Sequence, residues 1–328
     1  MHSGAALDDD SRESLNEVVQ AFPSVDLAFA YGSGAVRQGS YDYSRENKDR
    51  GKELPMLDLI FAVENSEAWH TANKERHRDH YTSMIDLKPS QIAFVQRRIG
   101  ARVWFNAMVS TPNTTGTIDN GKRLLKYGVI ETSDLRRDLL EWEVMYVAGR
   151  LHKPVRLIRN TEELEHCMDV NKDYAIYTAL AMLPSRFSEE DLFKMIASLS
   201  YTGDPRMLIG ENPHKVRNLV EPIVPAYREL YEGNLSKVDS GLLRSAQVEG
   251  SKAFLLDTSS DARKFLQHRL PPSVSALLDR HAEQEQIRSA LSAVVRRSAT
   301  SQTAKGLFTI GASKSLVYAA KKIAKRFK

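Results

Sequence analysis

Apolar positions in this 328-residue chain recur with two periods, and the two kinds of segment alternate. Asp26–Tyr31 and Met56–Val63 are short, almost unbroken apolar runs, the pattern of strands covered on both faces. Val103–Val109, rich in β-formers, and Leu124–Ile130 read the same way. Helical spacing marks Ser14–Phe22, stopped by Pro23, and the segments Ser66–Met84 and Ser90–Ile99. Asp134–Arg150 predicts one long amphipathic helix with Leu135, Leu139, Trp142, Met145 and Tyr146 on its apolar face. His152-Lys153-Pro154 ends it, and Val155–Ile158 predicts a last strand. Polar, turn-rich residues at 38–54 and 110–121 predict loops, the first of them mobile. From about 161 to 232 the pattern is mainly helical, with Ser188 capping the acidic turn Glu189-Glu190-Asp191. Beyond 233 it is charged and weakly periodic, which predicts helices lying on the body and a partly mobile linker at Ser298–Thr303. The expected order is an α/β domain over 1–160, a helical, winged-helix-like module over 161–235, a charged helical region over 236–304 and a tail over 305–328.

Charge changes this picture only at the end of the chain. The formal net charge is +4, but residues 305–328 hold seven Lys/Arg and no acid, so the preceding 304 residues carry −3. In the tail, Leu316, Ala320, Ile323 and Phe327 fall at helical spacing, with Val317, Ala319 and Ala324 widening the stripe. Lys321, Lys322, Lys325, Arg326 and Lys328 take the other face. Such a helix suits a membrane interface, where each basic residue near anionic lipid contributes about 1 kcal/mol. Packing on the body and binding of nucleic acid are the alternatives, and the membrane is preferred. No apolar run reaches the roughly 18–20 residues that span a bilayer. Asp8-Asp9-Asp10 near the start is unlike a secretory or transit leader. The single cysteine, Cys167, excludes an intramolecular disulfide and fits a reducing compartment.

The chemistry concentrates where the first strand empties into Gly32-Ser33-Gly34. Glycines let the backbone approach phosphate oxygens, turn amides point at the anion, and Ser33 adds a hydroxyl. Alone this motif is more often only a turn. Asp58 adds weight, because a carboxylate in an apolar strand needs a partner or a cation. A buried arginine would satisfy it; metal binding is the preferred reading. With period two, Asp58 shares a strand face with Ile60, Ala62 and Glu64. His77 and His80, at i and i+3, and Cys167 have no supporting ligand cluster or nucleophile signature and read as structural.

Further segments make the resemblance specific: Phe29-Ala30-Tyr31-Gly32-Ser33-Gly34, Met56-Leu57-Asp58, Ala68-Trp69-His70, His80-Tyr81 and Leu125-Lys126-Tyr127-Gly128-Val129-Ile130. Tyr146 to Val155, Phe187 to Phe193 and Ser200 to Met207 extend it. Together they resemble the mitochondrial translocator assembly and maintenance family, the peripheral-membrane type of CDP-diacylglycerol synthase. The match runs over about residues 22–232, with the basic tail as a further likeness. It implies a nucleotidyltransferase fold and the reaction of CTP with phosphatidic acid to give CDP-diacylglycerol and pyrophosphate. It also implies Mg²⁺ or another divalent cation, and a peripheral place on the matrix side of the mitochondrial inner membrane, with no nucleic acid partner.

The same resemblance suggests roles. Tyr31, Gly32, Ser33 and Gly34 would hold the triphosphate, with Ser33 and Lys126 counted as catalytic alongside Asp58. Asp58, with Glu64, would bind the metal. Asp204 and Arg206 would contact nucleotide or headgroup, and Arg150 and Lys153 are weaker candidates. One departure is plain: the second strand of many nucleotidyltransferases reads Asp-x-Asp, and here Ile60 takes the second place. Two other readings stay open, a nucleotidyltransferase acting on RNA and a catalytically degenerate, membrane-docked assembly factor.

Overall fold

The structure, a computed structural model, describes residues 9–36, 56–81, 86–110, 123–205, 214–248, 251–279 and 282–310. They form two compact units of mixed α/β character. The first draws on 1–136, 155–164 and 299 onward, the second on 137–154 and 165–298.

The first unit is built on a five-stranded mixed sheet in the order β3-β4-β2-β1-β5. Its strands are β1 (Leu27–Tyr31), β2 (Leu57–Val63), β3 (Trp104–Ser110), β4 (Leu124–Glu131) and β5 (Arg156–Arg159). β2 runs parallel to β4, and the other pairings are antiparallel. β2 lies at the centre, and Leu57, Leu59, Ile60, Phe61 and Ala62 have no exposed surface, which explains why its sequence does not alternate. Helices Asp9–Gln20, Ser66–Arg76 and Pro89–Arg98 accompany the sheet. Phe22, Phe61, Trp69 and Tyr127 interlock in its core, with the Phe22 and Tyr127 rings edge to face at 4.9 Å.

Beside those rings lies a buried polar network that the sequence pattern does not announce. His70 Nε2 donates to Gln96 Oε1 (2.8 Å), leaving Nδ1 to accept from the Tyr81 hydroxyl (2.9 Å). Asn73 and Asn106 donate to the Tyr127 hydroxyl at 2.9 and 2.7 Å. The network ties the Ser66–Arg76 helix to β3 and β4, and burial lowers the His70 pKa to about 4. In the second unit His152 is held likewise, its Nε2 on Asn171 Oδ1 (3.0 Å) and its pKa lowered by burial to about 3. Both imidazoles are neutral in the fold. Below the ordinary value of 6.5 the unfolded chain takes up protons that the fold refuses, so stability falls as pH drops toward 4. At about pH 5 each histidine should cost on the order of 2 kcal/mol relative to neutral pH. Urea midpoints across that range should show the decline, and His70→Gln should make it shallower.

The fold departs from expectation in three places. Asp134–Arg150 is not one helix: Thr132–Glu141 and Ala148–Leu151 are separate, with Trp142 and Met145 at positive φ between them. The cause is Asp138, whose buried carboxylate accepts from the backbone N–H groups of Val144, Tyr146, Val147 and Ala148. That local loop competes successfully with helix continuation. Trp142 turns inward and donates to Asn171 (2.8 Å).

Beyond 233 the expected helices are present at Ser260–Gln267, Pro272–Ser275 and Gln284–Ile310, but two unexpected strands precede them. β7 (Leu243–Val248) and β8 (Ser251–Leu256) pair with the short β6 (Arg186–Ser188) in an antiparallel sheet ordered β6-β8-β7. β7 mixes its apolar residues with Arg244, Ser245 and Gln247, and β8 offers a single apolar run of four, Ala253–Leu256, between Lys252 and Asp257. Ser298–Thr303 is no linker but the middle of the helix Gln284–Ile310. Gln302 is buried there, accepting from Ala101 N (3.0 Å) and donating to Val103 O (3.2 Å). The mainly helical reading of 161–232 agrees with helices Glu162–Met182, Glu189–Leu199, Lys215–Val220 and Val224–Leu235.

Candidate active site

Three neighbouring strands bring their ends together at one edge of the five-stranded sheet. Antiparallel pairing sets Tyr31, the last residue of β1, opposite Asp58, and parallel pairing sets Asp58 beside Lys126 on β4. Residues paired in register point to the same sheet face, so Tyr31, Asp58 and Lys126 form a row across it. Lys126 Nζ stands 3.5 Å from Asp58 Oδ1 and 4.8 Å from the centre of the Phe105 ring. The two charged side chains are 16% and 22% exposed. A pair this accessible contributes about 1 kcal/mol or less to stability. Its value lies in fixing two opposite charges at the mouth of an apolar sheet.

β3 bends to accommodate this row. Its register shifts between Asn106 and Val109, so that Ala107 and Met108 stand opposite Lys126, and Met108 has φ +54°. Bulges of this kind re-aim side chains and recur beside functional sites.

The turn that follows β1 lies against the same strand ends. Ala35 and Val36 both donate to Gly32 O at 3.0 Å, making a single tight turn over Gly32–Val36. Gly32 has φ +73°, and a Cβ there would sit 3.6 Å from Asp58 Oδ2. At Gly34 a Cβ would lie 2.3 Å from Met56 O, so only glycine lets the turn come this close to the start of β2. Arg123, just ahead of β4, donates from Nη2 to Gly34 O (2.6 Å) and clamps the turn in place. Ser33 is partly exposed at its apex. Turn, carboxylate and two cations share one small surface, an arrangement suited to a polyphosphate.

Of the residues singled out from sequence, Tyr31, Gly32, Ser33, Gly34, Asp58 and Lys126 are brought together. Glu64 is not. It is exposed just past the far end of β2, six residues from Asp58, roughly 20 Å along an extended strand. Sharing a strand face was true but insufficient, and Glu64 cannot complete a ligand set with Asp58. Among the described residues no group of three His, Cys, Asp or Glu side chains could hold a metal ion. One carboxylate still fits Mg²⁺, which keeps several waters and is usually held by one or two carboxylates together with substrate phosphates.

Asp204 belongs to the second unit, where it is buried in the turn after the helix Glu189–Leu199. Arg206 and the tail residues Leu316, Ala320, Lys321, Lys322, Ile323, Lys325, Arg326 and Phe327 lie outside the described residues. Arg150 and Lys153 donate to Tyr146 O and Gly149 O, both at 2.5 Å, within the second unit. Burial, with Arg150 and Lys215 nearby, holds the Lys153 pKa well below the usual lysine range. His77 bonds Ala21 O (2.9 Å), His80 lies 3.1 Å from the Tyr127 hydroxyl, and Cys167 is buried. Arg123 was missed, although the pair Lys122-Arg123 directly ahead of a strand could have pointed to it.

A family model described as "Phosphatidate cytidylyltransferase, mitochondrial" matches residues 15–325. The chain belongs to the mitochondrial phosphatidate cytidylyltransferase family. The relative of that name from Rattus norvegicus is 39% identical over 334 residues, covering 96% of this chain and 94% of its own length. The one from Xenopus laevis is 37% identical over 333 residues, covering 95% and 94%. The Dictyostelium discoideum relative is 32% identical over 375 residues, covering 97% and 86%.

Proposed function

We propose that this chain transfers the cytidylyl group of CTP to phosphatidic acid, releasing pyrophosphate and forming CDP-diacylglycerol. A phosphatidate oxygen attacks the α-phosphorus of CTP; the bond from that phosphorus to the bridging oxygen breaks, and its electron pair leaves with pyrophosphate. The observation that carries this is the Tyr31–Asp58–Lys126 row lying against the Gly32–Val36 turn. The turn and Ser33 receive the β- and γ-phosphates, and Arg123 holds the turn at its working distance from β2. Lys126 neutralises negative charge that shifts toward the leaving pyrophosphate. Asp58 is the residue to hold Mg²⁺, which when bound supplies charge neutralisation and orients the triphosphate. No covalent intermediate on the chain is needed, since positioning and electrostatics suffice for an in-line displacement.

In this reading the first unit has the nucleotidyltransferase fold. The helices of the second, with their three-stranded sheet, are a winged-helix-like module, in which Asp204 and Arg206 are candidate substrate contacts. The enzyme works as a peripheral protein on the matrix side of the mitochondrial inner membrane, attached through its basic tail. No helix among the described residues is long and apolar enough to cross a membrane, which is compatible with that placement.

The reaction is tested by measuring pyrophosphate release in detergent–lipid micelles with CTP, UTP, ATP or GTP. Release that requires both CTP and phosphatidate supports the proposal, and release indifferent to phosphatidate contradicts it. Lys126→Gln should lower kcat by about 10- to 100-fold with a smaller change in KM for CTP, because its charge matters most as pyrophosphate departs. An equal loss in Lys126→Arg would instead point to an exact ammonium position over the Phe105 ring.

A further inference from the structure

The helix Pro89–Arg98 has a buried and an exposed side of unlike chemistry. Inward, Ile92 packs with Tyr81 and Trp104, and Gln96 closes the His70 network. Outward stand Gln91, Phe94 and Arg98, with Phe94 62% exposed and Ile99, just past the helix end, 45% exposed. The Arg98 guanidinium lies 5.7 Å over the Phe94 ring. From Lys88 to Arg102 the sequence has four basic residues and no acidic one. Arg97 pairs with Glu131 and Arg102 with Asp134, so the charge that accompanies Phe94 and Ile99 outward is that of Lys88 and Arg98.

The same helix end anchors the C-terminal helix. Lys305, itself buried, donates from Nζ to Ile99 O (2.6 Å), and Gln302 bonds Ala101 and Val103. The helix Gln284–Ile310 then runs five more residues, about 8 Å. The eighteen residues after Ile310 carry six Lys/Arg and no acid. In sequence the basic stretch follows directly on that helix.

We infer that Phe94, Ile99 and Arg98 form a second membrane contact, on the body of the protein, that docks on an anionic lipid surface alongside the root of the tail. An exposed aromatic ring and an aliphatic side chain enter the interface, while the arginine beside the ring meets headgroup phosphate. Between Lys88 and Arg102 no carboxylate offsets the attraction to anionic lipid, and the exposed Asp86 ahead of them is paired with Lys74. The inference rests on the cytidylyl-transfer reading only for the choice of phosphatidate in the vesicles.

The test uses the full chain and phosphatidylcholine vesicles with and without phosphatidate. The double variant Phe94→Ser, Ile99→Ser should sediment with phosphatidate vesicles about tenfold more weakly, while turnover of a short-chain, water-soluble phosphatidate stays unchanged. Arg98→Gln should weaken binding to the anionic vesicles only. Phe94→Trp provides a second measure that needs no loss of apolar surface. The native Trp69, Trp104 and Trp142 are all buried, so the added indole should report a blue shift on vesicle binding. Unchanged sedimentation of the double variant, or an indole spectrum indifferent to vesicles, would overturn the second contact. Failure of the cytidylyl-transfer reading would show separately, as no turnover of the soluble phosphatidate by the unaltered chain.

Discussion

Asp58→Asn should lower phosphatidate-dependent pyrophosphate release from CTP by about 10²- to 10³-fold. The amide keeps the shape of the side chain and removes its charge. Asp58 is the only carboxylate in the row that includes Tyr31 and Lys126, and Glu64 is a strand-length away, so no neighbour on β2 can take over. The loss should fall mainly on kcat, because neutralisation of the triphosphate matters most as the bond to pyrophosphate breaks. Folding should change little. The pair with Lys126 is partly exposed, so unfolding free energy should move by about 1 kcal/mol or less. Raising the divalent cation concentration should recover part of the activity if Asp58 holds the ion, and none if the carboxylate serves only to orient Lys126.

Gly34→Ala should be the most damaging single-methyl change in the first unit. The added Cβ would stand 2.3 Å from Met56 O and 3.1 Å from Arg123 Nη2. Met56 O is backbone, immediately ahead of the strand that carries Asp58, and cannot swing away as a side chain would. The turn must therefore lift off β2 and loosen the Arg123 clamp on Gly34 O. Loss of about 100-fold in kcat/KM is expected, since an ångström of misplacement is enough for that, with about 2 kcal/mol of destabilisation. Gly32→Ala is the informative control. Its Cβ would find ordinary contact, 3.6 Å from Asp58 Oδ2, and suffer only from φ +73°. Strain of about 1 kcal/mol and a milder kinetic defect should follow. Steady-state kinetics and thermal melts on the two variants separate steric from conformational cost.

Much of the first unit was legible because its central strands are covered on both faces. A run such as Leu57–Val63, broken only by Asp58, needs no partner to be recognised, and Asp58 stands out within it. What escaped the sequence depends on contacts between distant residues or on small local competitions. Arg123 becomes part of the site only when the start of β4 meets the turn after β1, across 89 positions of chain. The bulge that re-aims β3 around Lys126 resides in Met108, a residue with no turn signature. Asp138 looked like one polar position on an amphipathic helix, whereas its carboxylate collects four backbone N–H groups and ends that helix. Glu64 shows the converse error, in which strand periodicity gives the face of a residue but not its distance.

Ile60 stands where a second aspartate is often found in nucleotidyltransferases, and its place in the fold is that of a core residue. Ile60 is fully buried in the sheet, two residues deeper than Asp58, and fills core rather than lining the mouth. Lys126 on β4 and Arg123 just ahead of it bring positive charge to the mouth, which suits a triphosphate but replaces no metal-ligating carboxylate.

In the proposed reaction Asp58, Lys126 and the Gly32–Val36 turn carry cytidylyl transfer to phosphatidate. Mass spectrometry of the lipid made from CTP and phosphatidate by the unaltered chain and by Asp58→Asn, at equal folded concentration, tests it most directly. The unaltered chain should yield phosphatidate heavier by one cytidylyl group, and Asp58→Asn almost none. Equal product from both proteins, or no cytidylylated lipid from the unaltered chain, would contradict it.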